Sequence, residues 1–308
     1  MKRKPIYVEI LIGSDMEKLW NATQTPDLHS SWDLRFSSIT YLPKKENEPQ
    51  HFLYKTNIGF GQSVQGWGKS AGTFHAEDGS RTSSLHFGTD QKISLIKEGK
   101  GYWKYIQKQD TLAFLTQYDY KVNFGRLGTF CDGMIFRPLI GWATALSFDV
   151  LKRWLEKNEA PASQYLRFFS TWLISFLFLF IWTYHGAVPK LIFQQHEEVS
   201  MTQNLLSVSM RQASSIVSAV GIAEILFGLL WLLPINKRRL FGVQIMAFPL
   251  LSLSAVLAEP ANLVHPFSPI TFNAALFILS LIGFFQCRDI PTASSCKRKR
   301  LGDNDVYL

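Results

Sequence analysis

Residues 168–189 carry no Asp, Glu, Lys or Arg, and Ser-Thr-Trp-Leu-Ile-Ser-Phe-Leu-Phe-Leu-Phe-Ile-Trp lies at their centre. Wound as a helix at about 1.5 Å per residue, this run between Arg167 and Lys190 crosses a hydrocarbon layer of roughly 30 Å. It divides the chain between two solvents. The half before it mixes charged and apolar residues as a water-soluble domain does. The half after it holds three more runs of spanning length, within residues 212–236, 240–258 and 266–287. Pro249 is expected to bend the third run without ending it, because neighbouring helices re-satisfy a freed carbonyl. The expected organisation is a soluble domain over 1–158, a linker over 159–166, four transmembrane helices over 167–288 and a basic tail over 289–308.

A net charge of +8 would suggest nucleic acid as a partner for a soluble protein. Here much of it lies at Lys237, Arg238 and Arg239 and over residues 297–300, where flanking positive charge has a membrane explanation. No nucleic-acid partner is expected. Arg153, Lys157 and Arg167 precede the first span, the 237–239 cluster separates the second from the third, and Arg288 comes after the fourth. The link over 259–265 has no Lys or Arg, and only Lys190 and Arg211 fall in the first external link. This bias predicts a multi-pass protein of the cell membrane with both termini cytoplasmic. Cys131, Cys287 and Cys296 show no metal-ligand spacing and no CxxC, which fits a reducing compartment. The start Met1-Lys-Arg-Lys4 leads into no apolar core of the kind a cleavable leader needs.

In the soluble half, the β-branched run over 6–12 reads as a strand. Ser14 and Glu17 have capping-box spacing for a short helix through Met16, Leu19 and Trp20, expected to stop near Pro26. Strands are predicted over 38–42, 51–56, 63–69, 81–88, 101–108 and 111–124, with an exposed loop over 43–49. The glycine-rich stretch 59–68 lacks the Lys-Ser/Thr of a phosphate loop, so bulges or tight turns explain it better. A long helix over 132–158 places Ile135, Leu139, Trp142, Leu146, Val150 and Trp154 on one stripe, with Pro138 bending its first turns. A curved antiparallel sheet wrapped around that helix would bury the stripe and leave a cavity, for which Trp142, Leu146 and Trp32 are the candidate lining. His29, His51, His75 and His86 lack ligand spacing, and no metal is expected. His29 with Asp27 and Asp33 admits an acid–base cluster at a pocket mouth, but plain turn chemistry is the preferred reading.

The opening strand, together with Phe136-Arg-Pro-Leu-Ile-Gly-Trp-Ala-Thr-Ala-Leu-Ser-Phe-Asp149 and residues 151–156, resembles the helix-grip domains of the START-like, polyketide-cyclase/SRPBCC superfamily over about residues 5–158. That resemblance implies an α+β domain holding a hydrophobic small molecule between sheet and helix. No catalytic signature of the superfamily carries onto this chain, so catalytic residues stay unassigned.

In the membrane half, Glu224 sits midway along the second span, in Gly221-Ile-Ala-Glu224. A carboxylate there is costly unless protonated or paired, so it marks a functional site or a packing network. His185, at the outer end of the first span, is placed to meet Glu224 directly or through a water or quinol-like ligand. Lys190 is expected to snorkel to the headgroups, or to meet Glu197 or Glu198. Tyr184-His-Gly-Ala-Val-Pro-Lys190, four spans and Gly221-Ile-Ala-Glu224 resemble the DoxX-like membrane family over about residues 168–287. This implies an all-α four-helix transmembrane bundle, in a group that includes membrane partners of quinone-linked oxidoreductases. Quinone is the one cofactor the resemblance admits.

Three functions are expected from these features. The first is membrane-tethered binding or sensing of a hydrophobic small molecule. The second is a component of a quinone-linked membrane oxidoreductase complex, with a redox partner or a second copy of the chain. The third is a structural or assembly role. All three place membrane lipid against the second half.

Overall fold

The computed structural model describes residues 4–44, 48–59, 61–264 and 268–300. Residues 45–47 of the expected loop, Phe60 of the glycine-rich stretch, 265–267 at the start of the expected fourth span and 301–308 of the tail lie outside them. The chain separates into two units, Met1–Tyr165 with Pro291–Leu308, and Leu166–Ile290.

The first unit is built on seven antiparallel strands: β1 Ile6–Ile12, β2 Ser38–Tyr41, β3 His51–Gly59, β4 Gln62–His75, β5 Arg81–Gly88, β6 Ile96–Lys108 and β7 Thr111–Val122. Their spatial order is β1-β7-β6-β5-β4-β3-β2, so β1 and β2 are the edges. Strand β1 shows the period-two logic plainly, with Ile6, Val8, Ile10 and Ile12 buried and the residues between them turned outward. Bulges near Asn57 and Ser70 bend β3 and β4. Across that pair Tyr54 faces Gly66 and Phe52 faces Gly68, and a Cβ on either glycine would run into the opposing ring. Gly66 and Gly68 therefore let two aromatic rings lie over β4, while Gly59 and Gly61, at positive φ, serve the turn between β3 and β4.

Two helices connect β1 to β2: α1 Met16–Gln24 and α2 Pro26–Trp32. Asp15, not Ser14, caps α1, its carboxylate accepting from the Lys18 N–H at 2.7 Å. Pro26 does not end the helical region but begins α2, at a position where a missing N–H costs nothing. After β7 come α3 Gly125–Cys131, a π-helical turn Asp132–Phe136 and the long α4 Arg137–Lys157. Sheet and long helix together form the α+β helix-grip arrangement. Its core is aromatic: Phe114 of β7 stacks on Phe148 of α4 at 4.5 Å, with Trp32, Trp103 and Tyr105 packed around them.

Every residue of α4 from 144 to 151 is buried. The sheet covers one side, and the segment after Pro291 covers another. Lys297 and Glu9 exchange two backbone hydrogen bonds of 2.9 Å on the free edge of β1. Cys296 Sγ donates to the Ala145 carbonyl at 3.3 Å, and the Thr292 N–H donates to Asp149 Oδ2 at 2.9 Å. The tail expected as a separate basic extension is, up to residue 300, a strap on this unit.

The second unit contains most of α5 Pro161–His185, then a π-helical segment Gly186–Ile192, α6 His196–Leu206, α7 Met210–Leu230, α8 Lys237–Ala258 and α9 Pro269–Gln286. Pro161–Ile192, α7, α8 and α9 are each long and apolar enough to cross a membrane. Gly125–Lys157 also qualifies by length and composition, but half of its apolar window is buried within the first unit, as a core helix should be. Phe178, Trp231, Phe241 and Phe248 form the centre of the membrane unit.

Gly66→Val should force the Tyr54 ring aside and destabilise the first unit by about 1–3 kcal/mol, the usual cost of overpacking. Thermal unfolding of the detergent-solubilised chain measures it, and an unchanged midpoint would refute the packing argument.

Candidate functional site

The first unit holds a cavity of about 1080 Å³, partly open to solvent, lined by the sheet, α2 and α4. Helix α4 and the turn before it contribute Phe136, Leu139, Ile140 and Ala143 to its wall, a set at i, i+3, i+4 and i+7 and so one helix face. The sheet contributes an apolar lining that includes Phe52, Leu85 and Phe87. None of Trp142, Leu146 and Trp32 lines this space. Leu146 and Trp32 are fully buried in the aromatic core, whereas Leu139, on the same helix stripe as Leu146, borders the cavity. The cavity lies beside the first two turns of α4, at Leu139, Ile140 and Ala143, before the fully buried stretch begins at Thr144.

Among the polar groups on the wall are His29 of α2 and Arg35, a few residues further along the chain. Asp33 lies behind them, with no exposed side-chain surface. Its Oδ1 accepts from the Arg35 backbone N–H at 3.1 Å and from Nε at 2.9 Å; its Oδ2 accepts from Nη2 at 2.6 Å and from His29 Nε2 at 3.1 Å. Burial alone would raise the Asp33 carboxyl, but the Arg35 guanidinium and the hydrogen bonds from Arg35 and His29 outweigh it and hold the group well below the usual carboxylate range. The same pairing raises Arg35 against its own desolvation. Burial lowers His29 despite the Asp33 carboxylate, so the imidazole rests neutral. Of the three residues considered for an acid–base cluster on the sequence, the structure joins His29 and Asp33 by a hydrogen bond. Asp27 stays at the surface and takes no part. Sequence reasoning assigned Arg35 no role; its signal was the spacing of two residues from Asp33.

In the membrane unit, Lys190 and Glu224 form an ion pair, Nζ to Oε2 3.1 Å, with each side chain only 13% exposed. Lys190 Nζ also donates to Glu198 Oε1 of α6 at 3.3 Å. The backbone explains how a lysine turns inward. Pro189 offers no N–H to the turn before it, the helix widens into the π-helical segment, and Lys190 Nζ reaches the His185 carbonyl at 3.5 Å. Close approach comes from Gly186 and Gly221, since a Cβ on Gly221 would stand 2.7 Å from the Gly186 carbonyl oxygen. His185 does not join Glu224. Its ring packs on Phe272, centroids 5.6 Å apart, and on Tyr184. Lys190 is the partner that Glu224 needed.

The molecule is thus a membrane protein combining a helix-grip domain with an apolar helix bundle, and residues 179–281 match the DoxX-like family. Over 303 residues it is 41% identical to the uncharacterized membrane protein YndG of Bacillus subtilis (strain 168), covering 97% of this chain and 99% of that one. The chain belongs to the same family as YndG. The N-terminal half is similar to the STAR-related lipid transfer protein (fragment 25–204) of Xanthomonas axonopodis, with 14% identity, TM-score 0.37, and coverage of 48% of this chain and 82% of that one. It is also similar to the hypothetical protein jhp0584 of Helicobacter pylori, with 13% identity, TM-score 0.38, and coverage of 49% and 86%.

Lys190→Met leaves buried carboxylates unpaired and should cost on the order of 3 kcal/mol, much of it restored in the double variant with Glu224→Gln. Melting of both variants in detergent decides this, and a Lys190→Met protein as stable as the parent would contradict it. For Asp33 the folded value lies below the unfolded one, so its stabilisation is complete above the ordinary carboxylate range near pH ~4 and is lost as pH falls toward the folded value. Asp33→Asn should lower the unfolding midpoint near neutrality and flatten its decline on acidification.

Proposed function

We propose that this protein binds a hydrophobic small molecule in its helix-grip cavity and does so as a membrane-tethered binder or sensor. The observation carrying this reading is the cavity itself: about 1080 Å³, walled mostly by aliphatic and aromatic side chains, with His29 and Arg35 joined on the wall by Lys44, Gln24, Gln50 and several hydroxyls. Such a composition suits an apolar ligand oriented by one polar end.

The sensing part rests on α5. Its first turn belongs to the packing around α4: Gln164 Nε2 donates to the Val150 carbonyl at 3.1 Å, and the Tyr165 hydroxyl donates to the Trp32 carbonyl at 2.5 Å. Trp32 in turn stacks on His29, centroids 5.2 Å apart, and His29 is part of the cavity wall. A ligand that moves α2 therefore acts on the helix that leads into the first span. We place both ends of the chain on the cytoplasmic side of the cell membrane, because Arg153, Lys157, Arg167, Lys237, Arg238, Arg239 and Arg288 fall on that side in a single consistent topology.

The test is binding of the fluorescent probe phenylnaphthylamine to the full chain in nanodiscs, with Ala143→Trp filling the cavity. Binding should be saturable in the parent and lost in the variant, and equal binding by both would sink the cavity reading. Tyr165→Phe should keep probe affinity but abolish any probe-induced change in hydrogen exchange over the start of α5. Native mass spectrometry of the same preparation reads bound quinone or a partner subunit, the results that would favour a redox or assembly role instead.

A further inference from the structure

The polar end of the cavity has an unusual division of labour. Asp33 is the only carboxylate there among the described residues, and its four hydrogen bonds fill the acceptor capacity of its two oxygens. It is absent from the cavity wall, whereas both of its side-chain partners, His29 and Arg35, are on it. Because Asp33 is ionised it can only accept here, so His29 Nε2 carries the N–H and donates to it, which fixes the neutral tautomer and leaves Nδ1 as a lone-pair acceptor. Arg35 carries five N–H donors. Asp33 takes two through the side chain, and the Tyr118 hydroxyl beside the guanidinium can take a third, leaving a pair.

A ligand meeting this end finds fixed donors and one acceptor side by side, held by a carboxylate it cannot reach. We propose that the cavity takes an apolar carboxylic acid, with its head at Arg35 and His29 and its chain or ring among Phe52, Leu85, Phe87 and Ile140. This rests on the cavity reading and names the ligand class for it. Charge balance supports the choice. Lys44 is also on the cavity wall, but no hydrogen bond or ion pair among the described residues joins it to this group. Asp33, Arg35 and neutral His29 sum to zero, so a bare carboxylate bound at them would leave a buried charge uncompensated, at high cost. An acid entering neutral can give its O–H proton to His29 Nδ1, forming imidazolium and carboxylate with no net change. A ligand arriving as its anion requires one proton from solvent for the same result. Asp33 and Arg35 are the charged groups facing His29; the rings of Trp32, Phe36 and Trp103 enclose the rest. An alcohol or an ester can use only part of this arrangement.

The experiment compares decanoic acid, decanol and methyl decanoate on the full chain in nanodiscs, by competition with phenylnaphthylamine and by calorimetry. The acid should bind at least about tenfold more tightly than the alcohol or the ester, the size expected for charge-assisted hydrogen bonds. Arg35→Met alone strands a buried carboxylate, so the informative variant is Asp33→Asn with Arg35→Met; it should lose the acid preference and keep probe binding. Calorimetry near neutral pH in two buffers of different ionisation enthalpy should show proton uptake on binding decanoate, abolished by His29→Gln. Equal affinities for acid, alcohol and ester, or probe binding that none of them displaces, overturns the carboxylic-acid assignment and leaves the cavity reading standing. Failure of the probe itself to bind overturns both.

Discussion

The packing of α4 between residues 144 and 151 is the constraint on which the first unit depends. A helix buried on all sides normally carries only apolar residues, yet this stretch includes Thr144, Ser147 and Asp149. Each is satisfied by a different neighbour. Thr144 Oγ1 meets the Tyr118 hydroxyl of the sheet at 2.9 Å, and Ser147 Oγ accepts from the Leu34 N–H at 2.9 Å. Asp149 holds Arg153 and the Thr292 N–H of the strap. Leaving any of these buried groups unpartnered would cost about 1–3 kcal/mol. So the helix specifies not just that it is covered but by what, and two of its covers, the start of α5 and the strap, come from opposite ends of the membrane half in sequence.

That arrangement also marks the limit of what sequence pattern can disclose. The strands Ile6–Ile12 and Arg81–Gly88 were legible, the first from its β-branched residues and the second from an extended run set off by turn residues. The long helix was legible from the 3.6-residue spacing of its stripe. The cavity was expected from a sheet wrapped around that helix but its lining was not, because periodicity reports where side chains pack and not where packing stops. On the one stripe Leu146 is in the dense core while Leu139, two turns earlier, borders open volume with Ile140 and Ala143. The strap was hidden for another reason: 291–300 reads as a polar basic run, and its docking uses backbone groups at Glu9 and Ala145 that no side-chain pattern announces.

In the membrane half, the four apolar runs were plain, but the pairing within them was not. Helical counting from His185 places Lys190 by an ordinary turn, whereas the π-helical segment around Pro189 rotates it toward α7. The glycines decide the distance. Gly186 and Gly221 remove the two Cβ atoms that would separate these backbones, which brings Lys190 within reach of Glu224 and Glu198 together. A carboxylate in this setting demands a cation, and the local backbone supplies one from the adjoining segment.

The two buried ionic groupings differ in a way that bears on function. Glu224 and Lys190 neutralise each other inside a helix bundle, and each is largely enclosed, as a structural pair should be. Asp33 and Arg35 also neutralise each other, but only Asp33 is fully enclosed; Arg35 and His29 remain on a cavity wall, with donors and a lone pair directed by the hidden carboxylate. Arg35, at 14% exposed, is about as enclosed as Lys190 at 13%; what sets it apart is that it belongs to a cavity wall. Keeping the cation at the surface of an apolar cavity makes sense when another molecule completes its hydrogen bonds. Through Trp32, whose ring lies on His29 and whose carbonyl holds Tyr165, that same end of the cavity is the part most closely joined to the beginning of α5.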